Sequence, residues 1–168
     1  MSAAQPTARR REGLSFNSED DVAADVRLLR RGYARAANWS LPQVCYHLER
    51  IMQIRMAPGP HPPNTPEQDA RQGLFREIMR SGRIPDGLKA PEAVMPPAEV
   101  GEDAIDALLA TLETFKRFPG PIAPHRLFGQ QSDADSRKQN LIHCAHHLSF
   151  LVPTAAPASP ASAHRSTT

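Results

Sequence analysis

Residues 140–151 read Asn-Leu-Ile-His-Cys-Ala-His-His-Leu-Ser-Phe-Leu and hold three of the seven histidines in this chain of 168 residues. Apolar residues recur here at helical spacing, and no glycine or proline interrupts the run before Pro153. This pattern predicts a helix. His143 and His147 are four residues apart, so on a helix they share one face, about 6 Å apart along the axis. Two imidazoles placed in this way can reach one metal ion, and His146 is the reserve candidate.

A metal site needs a third ligand, and the best donor elsewhere in the chain is His47. It lies on another predicted helix, whose start is marked by Ser40 followed by Gln43, a capping box. His47 falls within the apolar stripe of that helix and is therefore expected to face inward. A lone inward histidine is more often a hydrogen-bonded core residue. Together with the paired histidines of the last helix, however, it favours a site made of His47, His143 and His147.

The remaining sequence predicts a mainly helical domain. Ser18, Thr65 and Ser132 are expected to cap the first helix, an accessory helix and the last helix, which should run to Val152. The result is four principal amphipathic helices, one accessory helix and no strong strand. A fold of the all-α class follows, namely a four-helix bundle with a long crossover that carries the accessory helix.

Proline-rich and polar segments mark the connections and the ends. Residues 83–98 contain four prolines and are predicted to form an extended loop that could close over a pocket. Residues 1–13 are small, polar and basic, and residues 153–168 are mostly Ala, Pro, Ser and Thr. Both are predicted to be disordered, as a leader and a tail. The helical domain is accordingly assigned to residues 14–152.

Composition narrows the classes of partner. The formal net charge is +2, and Lys and Arg do not gather with aromatic residues on one element, so nucleic acid is not an expected partner. No segment approaches the ~20 apolar residues of a membrane span, and no apolar segment follows the N-terminal arginines as in a secretory signal. Cytoplasmic localisation is therefore expected. Cys45 and Cys144 lie on different predicted helices and are expected to be free and buried.

Several motifs resemble one known superfamily. Asn38-Trp39-Ser40, followed by His47, is similar to the helix-two signature of the DinB/YfiT-like superfamily of metalloenzymes. Residues 143–147, His-Cys-Ala-His-His, resemble its last-helix pattern of His-x-x-His-His. The motifs at 82–91 and 119–129 resemble one bacterial branch of that superfamily, a branch with no assigned function. The resemblance covers roughly residues 14–151.

The resemblance implies an antiparallel four-helix bundle with a divalent metal held by three histidines, which correspond to His47, His143 and His147. It also implies a homodimer. Characterised relatives include S-transferases and isomerases that use a low-molecular-weight bacterial thiol as cofactor or co-substrate. Many relatives continue with Arg-Gly-Gln after the second paired histidine, where residues 148–150 here are Leu-Ser-Phe. No specific reaction is therefore carried over.

Two functions fit these expectations. Three imidazoles leave a divalent ion an open position; zinc suits the ligands best, with nickel, cobalt or iron(II) as alternatives. Such an ion can activate water for attack on an ester, amide or epoxide, or hold a thiol deprotonated. The first hypothesis is a metal-dependent hydrolase or thiol S-transferase acting on a small molecule. The alternative is a non-catalytic bundle, a stress-response or interaction protein with a structural metal or none.

The sequence offers no clear general acid or base. Glu49 is two residues from His47 on the same predicted helix and therefore points elsewhere. His146 lies on a face next to the paired histidines and is expected beside the site or at the surface. His125 lies in a proline-rich loop. Its side chain is expected at the protein surface, and the alternative is a position at the rim of a pocket.

Overall fold

The computed structural model describes residues 8–154, and helices dominate this part of the chain. The α-helices are α1 (Glu19–Arg30), α2 (Leu41–Met56), α3 (Pro66–Ala70), α4 (Gln72–Ser81), α5 (Asp103–Arg117) and α6 (Asp133–Leu148). A short 3-10 helix spans Glu92–Val94. The strands β1 (Tyr33–Arg35) and β2 (Leu151–Pro153) form one small antiparallel sheet. The prediction of a mainly helical fold is confirmed at this level. No helix within residues 8–154 has the length and apolar character needed to cross a membrane.

The predicted helix starts are confirmed because each is determined by local hydrogen bonds. In each case the side-chain oxygen of the residue before the helix accepts from a backbone N–H in the first turn: Ser18 from Asp21, Ser40 from Gln43, Thr65 from Gln68 and Ser132 from Asp135. Ser40 and Thr65 form full capping boxes. Caps of this kind contribute about 1 kcal/mol each to helix stability. The start of α2 in particular sets the rotation of His47 about the helix axis.

The end of α6 differs from the prediction. The helix stops at Leu148 rather than Val152, and residues 151–153 pair with β1 instead, with Tyr33 opposite Pro153. The backbone N–H of Ala36 also donates to the carbonyl of Phe150 at 2.7 Å. This pairing joins the two distant ends of the domain. Local periodicity therefore could not reveal it, and the prediction that the last helix runs to Val152 was wrong by four residues.

One apolar core lies between α1, α2, α5 and α6, which are the four principal helices of the prediction. Its fully buried side chains include Val26, Leu48, Met52, Leu108, Leu112, Phe115 and Leu148. A second cluster packs the accessory helix α4 against α6 through Ile78, Phe128 and Ile142. Cys45 and Cys144 are free and buried, as expected. Burial raises the pKa of both thiols, so both stay protonated at neutral pH.

Residues 8–13 were assigned to a disordered leader, whereas the structure places them against α1 and the end of α6. The backbone N–H of Arg11 donates to the carbonyl of Ser149 at 2.8 Å. The Arg11 guanidinium makes two hydrogen bonds of 2.8 Å to the carboxylate of Asp25 and one of 2.9 Å to the carbonyl of Leu148. All these partners are distant in sequence, so composition alone indicated a solvated segment.

The predicted tail also begins later than expected. Pro153 belongs to β2, and the backbone N–H of Thr154 donates to the carbonyl of Gly32 at 2.9 Å. The rest of the predicted leader and tail, residues 1–7 and 155–168, lies outside the described residues.

Replacing Asp25 with alanine should lower the free energy of unfolding by about 2 kcal/mol, because Arg11 loses a bidentate partner in a poorly solvated position. The two side chains are only 19% and 11% exposed. Urea denaturation followed by circular dichroism measures the change. The control is Asp106→Ala, whose partner is Arg30 in an ion pair with side chains 40% and 65% exposed; because water screens this pair, the expected loss is clearly smaller. Equal losses would contradict the special role of the Arg11–Asp25 pair.

Candidate metal centre

The three histidines predicted as ligands meet between α2 and α6. Nε2 of His143 lies 3.3 Å from Nε2 of His47 and 3.0 Å from Nε2 of His147. One ligand nitrogen from each residue lies within 4.8 Å of the other two. Zinc–nitrogen bonds of about 2.0–2.1 Å place tetrahedral ligand nitrogens about 3.3 Å apart. The spacing and the donor type therefore fit a single metal ion.

His47 is held in one tautomer by a backbone contact. Its Nδ1 lies 2.9 Å from the carbonyl oxygen of Val94, so Nδ1 carries the proton and donates it to that oxygen. Nε2 is left with its lone pair directed at His143. Hydrogen bonds of this kind orient metal-binding imidazoles and raise their basicity as ligands. Val94 lies within the proline-rich segment 83–98, which therefore contributes directly to the site.

Burial keeps the three imidazoles neutral. It lowers the pKa of His47, and it lowers the pKa of His143 and His147 well below the ordinary value, helped by repulsion from neighbouring histidines. A neutral imidazole is the form that binds metal. The cluster therefore does not have to lose protons at neutral pH before it can bind an ion.

Two further side chains border the cluster. The ring of Trp39 stacks on His147 with centroids 5.5 Å apart at 16°, and it lies 5.2 Å from the ring of His47. The imidazole of His146 is turned toward Arg10, whose Nη2 donates to its Nδ1 at 3.2 Å. His146 contacts the ring of His147 edge-on but is not among the three converging nitrogens. It thus lies beside the site, as the sequence indicated.

A cavity of about 140 Å³ opens next to the three histidines. Residues 88–91 form part of its wall, so the expectation that the 83–98 segment could close over a pocket agrees with the structure. His125 also lines the cavity, stacked on Phe128 with centroids 4.9 Å apart. The side chain of His125 thus takes the alternative position, at the rim of a pocket, and not the expected surface position. Burial lowers the pKa of His125 to about 3.

Sequence reasoning missed a polar wall on the same cavity. Arg55 is 6% exposed, and its Nη2 donates to Oγ of Ser136 at 2.8 Å and to Oε1 of Gln131 at 3.0 Å. Gln139 and Asn140 line the cavity from α6. Burial lowers the pKa of Arg55 to about 10, so the side chain stays charged at neutral pH. One feature of the sequence could have indicated that Arg55 lies near the site. Arg55 follows His47 by about two helical turns and so lies near the same face of α2.

Glu49 points away from the three-histidine cluster, as its spacing from His47 predicted. Its carboxylate accepts a hydrogen bond from Gln53, one turn further along α2 at the exposed surface. Glu49 does not line the cavity.

The fold and the site together define a mainly helical protein with a buried three-histidine cluster that could hold a metal ion. The chain belongs to the DUF1569 family, described as a protein of unknown function, whose model matches residues 8–154. No curated protein and no solved structure matches the sequence. The function must therefore be inferred from the site itself.

Proposed function

We propose that this protein is a divalent-metal-dependent enzyme that acts on a small molecule, either as a hydrolase or as a thiol S-transferase. The observation that carries the proposal is the convergence of Nε2 of His47, His143 and His147 beside a cavity. Catalytic metal sites typically combine three protein ligands with an open position, whereas structural zinc sites are closed by four. Within residues 8–154, no fourth His, Cys, Asp or Glu joins the cluster.

We further propose that the fold is an antiparallel four-helix bundle of the DinB/YfiT-like type. The packing of α1, α2, α5 and α6 around one core supports this architecture. So does the position of α3, α4 and the 83–98 segment, which together form the crossover from α2 to α5. Metal sites in such bundles are built from inward side chains on facing helices, and α2 and α6 provide them here.

A bound divalent ion would supply Lewis-acid chemistry and lower the pKa of a water or thiol at the site. Zinc suits three neutral imidazoles best, and nickel, cobalt and iron(II) accept the same donors. The surrounding residues orient the donors and restrict access. Val94 fixes His47, Trp39 covers two of the rings, and residues 88–91 enclose the cavity. A cavity near 150 Å³ can hold benzene, so the substrate is expected to be small.

The proposal is tested by metal content and by activity on the same preparation. Inductively coupled plasma mass spectrometry should find about one equivalent of a divalent metal in the purified protein. Small esters and epoxides, each assayed with and without cysteine as a thiol co-substrate, should show turnover. Chelation should reduce it at least 100-fold, and adding back the metal should restore it. The proposal is wrong if the protein stays metal-free after reconstitution, or if turnover survives complete chelation.

A further inference from the structure

The cavity has a second polar end, away from the histidines. At one end His47 of α2 meets His143 of α6 with 3.3 Å between their Nε2 atoms. At the other end Arg55 of α2 meets Ser136 of α6, with 2.8 Å from Nη2 to Oγ. Because these pairs occur in opposite sequence order on the two helices, α2 and α6 run antiparallel along the cavity. Arg55 lies eight residues after His47, about 12 Å further along the axis of α2.

Besides Nε2 of Gln131, a residue that does not line the cavity, two buried donors at this end have no hydrogen-bond partner among residues 8–154. They are Nη1 of Arg55 and Nδ2 of Asn140. The two residues are 6% and 8% exposed, and both line the cavity. A buried donor left without a partner costs about 1–3 kcal/mol, and more when the group is charged. Both donors therefore favour an acceptor that enters the cavity.

The charge of Arg55 is not neutralised by a neighbouring carboxylate. No acidic group in the described part of the chain forms a salt bridge with it. Asp133 acts on Arg55 only by longer-range attraction, and its Oδ1 already accepts from the backbone N–H of Ile122 at 2.9 Å. The protein partners of Nη2 are the neutral oxygens of Ser136 and Gln131. Buried charges in proteins are ordinarily paired.

We propose that Arg55 and Asn140 form a subsite for the carboxylate of a small organic acid. The guanidinium supplies the charge, and Nη1 of Arg55 and Nδ2 of Asn140 are nitrogen donors of the kind that bind carboxylate oxygens. This subsite adds a substrate class to the proposed function. It rests on that function in one respect, because the reactive group of the acid is placed at the three-histidine end of the cavity. The cavity of about 140 Å³ restricts the acid to a small molecule, such as one with a single aromatic ring.

The test uses benzoate and its neutral isostere benzamide, titrated by calorimetry into full-length protein freed of metal with a chelator. Benzoate should bind the wild-type protein at least tenfold more tightly than benzamide. Arg55→Met should abolish this preference, and Asn140→Ala should reduce it about threefold. Arg50→Met is the matched control, because Arg50 lies on the exposed side of α2 and pairs with Gln53. It should leave the preference unchanged.

The subsite is overturned if the wild-type protein does not prefer benzoate, or if Arg55→Met keeps the preference. In either case the free donors serve only to hold water. If circular dichroism shows that Arg55→Met does not fold, the preference for benzoate over benzamide is measured in Arg55→Lys and Asn140→Ala instead. An unchanged preference in both variants also overturns the proposal. Because the titration uses metal-free protein, benzoate binding that depends on Arg55 would support the subsite even if metal uptake failed. Failure of the subsite and failure of the proposed function therefore remain distinguishable.

Discussion

His143→Ala will bind Ni²⁺ or Co²⁺ at least 100-fold more weakly than the wild-type protein. His143 is central to the cluster, because its Nε2 is the atom that approaches both His47 and His147. Without it, two imidazoles remain, one on α2 and one on α6. Loss of a residue that merely supports a ligand typically costs 10–100-fold in affinity, so loss of a ligand is expected to cost more.

The measurement can use the protein's own fluorophore. Trp39 is the one tryptophan of the chain, and its ring centroid lies 5.5 Å from that of His147. Paramagnetic Ni²⁺ or Co²⁺ bound at the cluster should quench its emission, so a fluorescence titration gives the affinity. Mass spectrometric metal content of the same samples provides an independent reading.

Two matched histidine variants show whether the loss is specific. His61 is exposed, and His61→Ala should leave the affinity unchanged. His146→Ala should keep it within about tenfold, because the Nδ1 of His146 accepts from Arg10 and its ring only borders His147. If His146→Ala lost metal as completely as His143→Ala, the ligand set would include His146. If His143→Ala retained wild-type affinity, the three-histidine assignment would be wrong.

The features predicted well from sequence are those that depend on residues only a few positions apart. A capping box at Ser40 and Gln43 requires only residues three apart, so the start of α2 followed from it. The inward direction of His47 followed from its place in the apolar stripe of the same helix. The spacing of His143 and His147 likewise places them on one helical face. That His47 lies next to His143 and His147 was the one step that required an inference about the fold. The structure brings the three side chains together.

The features that were missed depend on contacts between distant segments. The pairing of β1 with β2, and the packing of Arg11 against Asp25, join parts of the chain with no shared local pattern. The Val94 carbonyl that holds His47 comes from a loop whose path is set by tertiary packing. No sequence motif singles out Arg55, and its burial depends on α6, whose Ser136 accepts a hydrogen bond from it.

In metal-free protein, the free energy of unfolding should fall steeply as the pH drops from 7 to 5. Burial lowers the pKa of His125 to about 3, and it lowers the pKa of His143 and His147 well below the ordinary value. Unfolded histidine titrates near 6.5. Between that pH and the lower native pKa, the unfolded state binds more protons than the native state. Stability is therefore complete above about pH 6.5 and is lost as the pH falls toward the native pKa values.

The expected loss is large compared with the stability of a domain. A group that stays neutral in the native state while the unfolded state is protonated costs about 1.4 kcal/mol per pH unit, or about 2 kcal/mol at pH 5. His125 alone therefore loses about 2 kcal/mol by pH 5, and His143 and His147 add to the loss in the same direction, whereas whole domains are stable by about 5–15 kcal/mol. Urea denaturation in chelator at pH 7.5, 6.5, 5.5 and 5.0 measures the change. His125→Gln should remove about 2 kcal/mol of the loss at pH 5.

This acid sensitivity and the proposed metal binding have one physical origin, because both require imidazoles that remain neutral inside the protein. A metal ion that binds the native cluster adds stability in proportion to the logarithm of its concentration over its dissociation constant. The added stability should be greatest at pH 7 and should shrink on acidification, as protons compete for the same nitrogens. The metal-loaded protein is therefore expected to show the larger total loss between pH 7 and 5. A pH-independent stability of the metal-free protein over this range would show that His125, His143 and His147 take up protons within the fold, and would contradict the neutral imidazoles described above.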